Sequence, residues 1–118
     1  ILVVDDDEAM RDLMQLHLAS AGYRVEVAED AIAAGYAVLR GAPDLILCDI
    51  RMPHMDGFEF VAALRADASL PRMPVIFLTA HDEDEGRARG LGVVEYLRKP
   101  VRLDELLAAI ERHLPRPA

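Results

Sequence analysis

Two strand-length stretches well inside this chain are apolar at every position and preceded by turn residues, Leu45-Ile46-Leu47-Cys48 and Val75-Ile76-Phe77-Leu78. The first follows Gly41 and Pro43; the second follows a loop over 69–74 that contains two prolines. A strand with one wet face alternates apolar and polar residues, whereas one with no polar face must be covered on both sides. That is the situation of a central strand in a parallel sheet flanked by helices. Each run also ends in a polar residue, Asp49 and Thr79. Open α/β sheets bind their ligands in the crevice beyond the carboxyl ends of such strands.

The rest of the chain supplies the other layers. Ile1–Val4 is a short β-branched run, read as the first strand, and it ends in Asp5-Asp6-Asp7-Glu8. Met10, Leu13, Met14 and Leu18 recur at helical spacing, and Gly22 stands where that helix would end. Tyr23–Ala28 alternates and predicts a second strand. Asp30 is the expected N-cap of a helix over Ala31–Arg40. Asp56 or Gly57 starts a helix through Arg65, with Phe58, Val61 and Leu64 on one face. His81–Leu91 is a weak, glycine-containing helix candidate, and Glu95–Arg98 a short strand. Leu103, Leu106, Leu107, Ile110 and Leu114 stripe a last helix over Arg102–Leu114. Five βα units in strict alternation predict one α/β domain over 1–114, a doubly wound, five-stranded parallel sheet with helices on both faces. Pro115-Arg116-Pro117 stops the last helix, so 115–118 reads as the start of a linker. The chain opens directly on a strand without Met and is read as a segment of a longer protein.

Composition narrows the function. With 21 acidic residues against 13 basic, the net charge is −8. That disfavours direct binding of nucleic acid, whose phosphates need a basic face, and of an anionic membrane surface. It suits protein partners and divalent cations. The single Cys excludes an internal disulfide and fits a reducing cytoplasm. No apolar stretch approaches the ~20 residues of a membrane span.

The polar residues at the strand ends form a set. Asp5 and Asp6 follow the first strand, Asp49 ends the third, Thr79 the fourth and Lys99 the fifth, while the second ends in nothing comparable. In the flavodoxin-like order 2-1-3-4-5, strands one, three, four and five are neighbours ~4.8 Å apart, so these groups converge on one edge. Each alone has an ordinary structural reading. An Asp after a strand caps a turn, an acidic run favours a helix N-terminus, Thr79 fits a local turn and Lys99 a solvated surface. Together they are chemically complementary. Three carboxylates this close repel, and one lysine cannot balance them. A hard divalent cation can, and Mg²⁺ is satisfied by one or two carboxylates plus waters and phosphoryl oxygens. Asp49 then has the character of a carboxylate nucleophile able to form an acyl phosphate. Mg²⁺ and Lys99 would neutralise the phosphoryl oxygens during transfer, and the Thr79 hydroxyl would donate a hydrogen bond to the product.

On these residues the chain resembles a response-regulator receiver domain, the CheY-like module of two-component signalling. The matching stretches are Ile1–Glu8, Leu45–Gly57 with its Asp-x-x-Met-Pro-x-Met-Asp-Gly core, Leu78-Thr79-Ala80, and Tyr96-Leu97-Arg98-Lys99-Pro100. The resemblance implies that Asp49 is the phospho-acceptor, taking its phosphoryl group from the phosphohistidine of a histidine kinase or phosphotransfer domain. It implies that Asp5 and Asp6 hold Mg²⁺ (or Mn²⁺ as a substitute), with Asp6 the direct ligand and the backbone carbonyl of Arg51 a further one. Thr79 and Tyr96 match the switch pair, and Lys99 the lysine that pairs with the phosphoryl oxygens. It further implies a cis Lys99–Pro100 bond, an output domain in cis or an effector protein, and homodimers through the fourth and fifth βα units. Such a domain is a signalling switch rather than an enzyme, self-catalysing only its own phosphorylation and dephosphorylation.

Some residues depart from the family pattern. Val93 stands where a small residue is usual and Val94 where a polar one is; core packing and a partner contact are the two readings of Val94. Val101 replaces a common Phe. Arg51 and His81, two positions past Asp49 and Thr79, match places that influence loss of the phosphoryl group. Cys48 is expected to point into the core, and Met52 and Met55 to pack there. Leu16 falls off the stripe of the first helix. Three alternatives remain. An aspartyl phosphatase needs a second acid where Arg51 stands. A flavodoxin needs a phosphate loop that Asp5-Asp6-Asp7-Glu8 would repel. A pseudo-receiver would bind partners without phosphorylation.

Overall fold

A computed structural model describes residues 1–80 and 85–114 of the chain. The elements alternate as β1 (Leu2–Val4), α1 (Glu8–Ser20), β2 (Glu26–Ala28), α2 (Ala31–Arg40), β3 (Ile46–Asp49), α3 (Gly57–Ala66), β4 (Val75–Thr79), α4 (Glu85–Gly90), β5 (Glu95–Arg98) and α5 (Leu103–His113). All strand pairs are parallel, in the order β2-β1-β3-β4-β5. Fold class and strand order are as predicted.

Side-chain alternation divides the core into two layers. Leu2, Val4, Ile46, Cys48, Val75 and Phe77 face one way, and Ala34, Val38, Phe60, Val61 and Ala88 from α2, α3 and α4 cover them. Val3, Leu47, Ile76, Leu78 and Leu97 face the other way, under Met14, Leu18, Leu106 and Ile110 from α1 and α5. The central strands β3 and β4 are buried on both faces up to their last residues, which is why their sequences carry no alternation.

Helix starts are fixed by carboxylates. Asp7 caps α1, accepting from the Met10 N–H, and Asp30 caps α2, accepting from Ala33. Asp56 and Glu59 form a reciprocal capping box at α3. Gly22, at φ 99°, takes the left-handed position that ends α1.

Three expectations are corrected. The second strand is Glu26–Ala28 rather than Tyr23–Ala28: the Tyr23 N–H donates to the Leu18 carbonyl at 3.1 Å, in the turn that ends α1, and the ladder with β1 runs from Glu26 opposite Leu2. Leu13 and Leu103 are 48% and 40% exposed: each belongs to the apolar pattern of its helix, but α1 and α5 bury only the stripes around Met14–Leu18 and Leu106–Ile110. The last helix runs Leu103–His113, with Arg102 and Leu114 as its caps. The fourth helix is described over Glu85–Gly90; the start expected for it, with His81, and the proposed linker at 115–118 lie outside the described residues.

Candidate functional site

The site follows from strand register. Val4 lies opposite Cys48 on the paired strands β1 and β3, so the next residues, Asp5 and Asp49, leave the sheet side by side. In-register residues on neighbouring strands point to the same face. Asp49 in turn lies opposite Leu78, one residue before Thr79. Cys48, by alternation, turns the other way into the core and is fully buried. Burial and the neighbouring Asp49 charge push its thiol pKa far up, so it is a small apolar side chain here, as expected.

Asp5 is buried, at 3% exposure. Its Oδ1 accepts from the Asp7 N–H at 2.9 Å and its Oδ2 from Lys99 Nζ at 2.9 Å. Arg11 Nη1 donates to the Asp5 carbonyl at 2.8 Å, a contact with no signal in the sequence. Asp49 is half-buried; Lys99 Nζ reaches its Oδ2 at 3.3 Å and the Arg51 N–H its Oδ1 at 3.4 Å. Asp6 is exposed at the rim. Lys99 is held by its own backbone, whose N–H donates to the Thr79 carbonyl at 2.7 Å, and the Lys99–Pro100 peptide is cis. Thr79 is fully buried. Sequence reading assigned Lys99 to the phosphoryl group; here its ammonium bridges Asp5 and Asp49.

The electrostatics reflect this crowding. Burial raises the Asp49 pKa, Lys99 opposes the rise, and the Asp5 charge adds to it. Burial works against the Lys99 charge, but its hydrogen bond to Asp5 and the field of Asp49 outweigh it and hold the ammonium pKa above its usual value. The Lys99 ammonium thus serves two acids while a third stands beside them.

Carboxylate oxygens of Asp5, Asp6 and Asp49 lie within 4.8 Å of one another, and this is the one such acid or imidazole group among the described residues. The donor set fits a hard divalent cation. All its donors are oxygens, and it grades from buried Asp5 to exposed Asp6, leaving a side open to water, as Mg²⁺ requires and Mn²⁺ accepts. His17, His54 and His113 take no part in it.

Tyr96 is partly buried on β5, its ring edge-on to Phe77 at 6.5 Å. Phe77 meets Phe58 edge-on at 5.4 Å, and the Arg87 guanidinium of α4 lies 4.5 Å over Phe58. This ring series was missed: Phe58 and Phe77 read as core, and nothing in their spacing announces a chain of contacts. Met52, Met55 and Val93 pack against the same core, as does Val101 against the other. Val94 is 39% and Leu16 63% exposed.

Comparison with known proteins agrees with this geometry. The response regulator receiver domain model matches residues 1–111. The chain is 42% identical over 118 residues to the response regulator MprA of Mycobacterium leprae, covering 98% of this chain and 51% of that protein. It is 37% identical over 118 residues to the DNA-binding dual master transcriptional regulator RpaA of Synechocystis sp., covering 98% and 49%. The chain thus spans about half the length of the curated relatives it matches. Among solved structures, the chemotaxis protein CheY4 of Vibrio cholerae superposes with a TM-score of 0.88 at 34% identity over 96% of both chains. The signal receiver domain of a histidine kinase from Syntrophus aciditrophicus gives 0.86 at 26% identity, covering 99% of this chain and 92% of that one. Five parallel strands in this order, an acid cluster at their carboxyl edge and a family match along nearly the whole sequence lead to one assignment: the chain belongs to the response regulator receiver domain family.

Proposed function

We propose that this domain is a phosphorylation-dependent switch in which Asp49 accepts a phosphoryl group from a phosphohistidine. An Asp49 carboxylate oxygen attacks phosphorus, the P–N bond breaks, and the imidazole leaves with the bonding pair. The reading is carried by one observation, the convergence of Asp5, Asp6 and Asp49 on one edge with the Lys99 ammonium between two of them. That excess of negative charge is costly without a cation and suited to one.

Asp5 and Asp6, with Asp49 and the Arg51 carbonyl, would hold Mg²⁺, which when bound supplies the positive charge that lets phosphoryl oxygens enter beside the acids. Lys99, on its strand-end tether, is placed to transfer an ammonium hydrogen bond from Asp49 to the arriving oxygens. The Thr79 hydroxyl then donates to the phosphoryl group, and the Tyr96 ring moves inward behind it. Their neighbours in sequence, α4 and β5, respond as a two-state element whose balance phosphorylation shifts. Partly buried Val93, large for its place, narrows the room for that movement.

The partners are a histidine kinase or phosphotransfer domain upstream and an output domain in cis or an effector downstream. The half-length match to longer regulators, one of them named as DNA-binding, supports an output domain in cis. Pairing through α4, β5 and α5 would couple phosphorylation to that output. The setting is the cytoplasm, and no helix among the described residues is long and apolar enough to cross a membrane. The test is intact mass after incubation with acetyl phosphate. One phosphoryl addition, absent without Mg²⁺, supports the switch. No addition to folded, Mg²⁺-binding protein rejects it in favour of a pseudo-receiver.

A further inference from the structure

The turn between β1 and α1 carries two of the three clustered acids, and they are held very differently. Asp5 is fixed at every polar group. Its N–H donates to the Ala28 carbonyl at 3.1 Å, its Oδ1 accepts from the Asp7 N–H and its Oδ2 from Lys99. Its carbonyl lies beyond the strand ladder, which stops at Val4, and accepts from Arg11 Nη1 at 2.8 Å. Asp6 is exposed, and among the described residues nothing bonds to its carboxylate. Yet that carboxylate lies within 4.8 Å of the Asp5 and Asp49 oxygens. Its place is set by the backbone that precedes it.

That backbone is the peptide which Arg11 holds. The Asp5 carbonyl and the Asp6 nitrogen belong to one planar unit, so fixing the oxygen fixes the direction in which Asp6 leaves. Arg11 stands one turn into α1, its own N–H bonded to the Asp7 carbonyl. Helical side chains lean towards the N-terminus, which carries the guanidinium back over the turn. Asp5, Asp6, Asp7, Glu8 and Asp12 are all near it in sequence, and a guanidinium ordinarily takes a carboxylate. Arg11 takes a backbone carbonyl instead, and among the described residues it makes no ion pair. The difference matters chemically. An Arg11–Asp6 pair would neutralise the exposed carboxylate, whereas the carbonyl bond fixes its backbone and leaves its charge to a cation.

We propose that Arg11 is a positioning residue of the metal site, one that sets the Asp6 carboxylate for Mg²⁺ by clamping the Asp5–Asp6 peptide. The inference rests on the Mg²⁺ reading of the acids given above. The charge of Arg11 works against this role, since a cation beside the site repels the metal. Were charge its only effect, removing it would tighten Mg²⁺ binding. Groups that orient metal ligands act in the opposite sense, and their loss weakens binding by about 10–100-fold.

The test is titration of the metal-free chain with MgCl₂, read by the amide NMR shifts of residues 5–7 and 49–51. The same spectra establish that each variant is folded, and phosphorylation does not enter the readout. The expected result is that Arg11→Met binds Mg²⁺ roughly tenfold more weakly than the parent, despite its lost positive charge. Arg11→Lys, which keeps the charge and a donor, recovers most of that loss. Arg40→Met removes the same charge beside Glu26 at the start of β2 and leaves the affinity unchanged. With Asp6→Asn already in place, Arg11→Met costs little more, as coupled residues require. Arg11→Gln replaces Arg11→Met throughout if the apolar side chain costs the fold. An Arg11→Met protein that binds Mg²⁺ as tightly as the parent, or more tightly, overturns the proposal. So do losses from Arg11→Met and Asp6→Asn that simply add. A parent that binds no Mg²⁺ at these acids overturns the metal reading along with it, so the two failures are told apart.

Discussion

Replacing Gly57 with alanine should destabilise this domain, although alanine is the better helix former. Gly57 opens α3 directly beneath the turn that leaves β3, and its N–H donates to the Ile50 carbonyl at 2.7 Å. A Cβ at this position would lie 2.8 Å from the Asp49 carbonyl oxygen, 2.9 Å from Ile50 Cα and 3.2 Å from Phe77 Cε1. Carbon contacts are comfortable at about 3.5–4.0 Å, so two overlaps of about 0.6 Å fall on backbone atoms that cannot rotate aside. Overpacking costs about 1–3 kcal/mol; two backbone clashes put this case at the top of that range, and helix propensity returns at most ~1 kcal/mol. The net loss is about 2–3 kcal/mol, or about 8–12 °C in Tm at roughly 4 °C per kcal/mol for a domain of this size. Thermal and urea unfolding of the metal-free protein measure it. Gly35→Ala is the control, since nothing lies within 4 Å of its added Cβ, and it should gain about 0.5–1 kcal/mol. A Gly57→Ala protein melting within about 2 °C of the parent would instead mean that the β3–α3 turn yields to the added methyl rather than standing fixed.

Lys99→Met removes the ammonium shared by Asp5 and Asp49 and should cost about 2 kcal/mol in chelator, with Mg²⁺ raising the Tm of the variant more than that of the parent. Glu95 accepts two hydrogen bonds from Arg112 and contacts His113; the Arg112 bonds hold its carboxyl below the usual range. A lowered folded pKa gives stability that is present above the ordinary glutamate pKa of about 4.3 and lost as pH falls through the folded value. Glu95→Gln should therefore cost about 1 kcal/mol at neutral pH, with the difference from the parent closing on acidification, as read by urea unfolding across pH. Arg65 donates to the carbonyls of Met73 at 2.8 Å, Leu91 at 3.0 Å and Gly92 at 3.4 Å, tying α3 to the turn between α4 and β5. Arg65→Ala should cost about 2–3 kcal/mol and speed amide exchange at 91–94 while leaving β1 protected.

The parts legible in the sequence are those written as local pattern or as strand-end chemistry. The apolar runs of β3 and β4 up to their last residues, the caps at Asp30 and Asp56, and the acids at the ends of β1 and β3 follow from periodicity and from the rule that parallel strands deliver their last residues to one edge. Residues whose place depends on long-range geometry were not legible. Arg65 looks like any basic residue in a last helical turn until three carbonyls from two distant loops gather around it. Phe58 and Phe77 read as core without showing that their rings meet. The start of β2 is not legible either, because the alternation of Tyr23–Val27 does not show that the Tyr23 N–H turns back to the Leu18 carbonyl. The exposure of Ile32, Tyr36 and Leu39 on α2 is not legible, since an all-apolar helix is ordinarily a buried one and periodicity cannot assign which side of it is covered.

The proposed switch rests on one residue, Asp49 at the end of β3, as the phospho-acceptor. The most direct measurement is to label the chain with acetyl phosphate and Mg²⁺, trap the acyl phosphate by borohydride reduction, and map the product by peptide mass. Reduction of an aspartyl phosphate leaves homoserine, so that conversion is expected at Asp49, with none in Asp49→Asn or without the metal. Conversion at Asp5, Asp6 or Asp56 instead, or labelling that persists in Asp49→Asn, would contradict it.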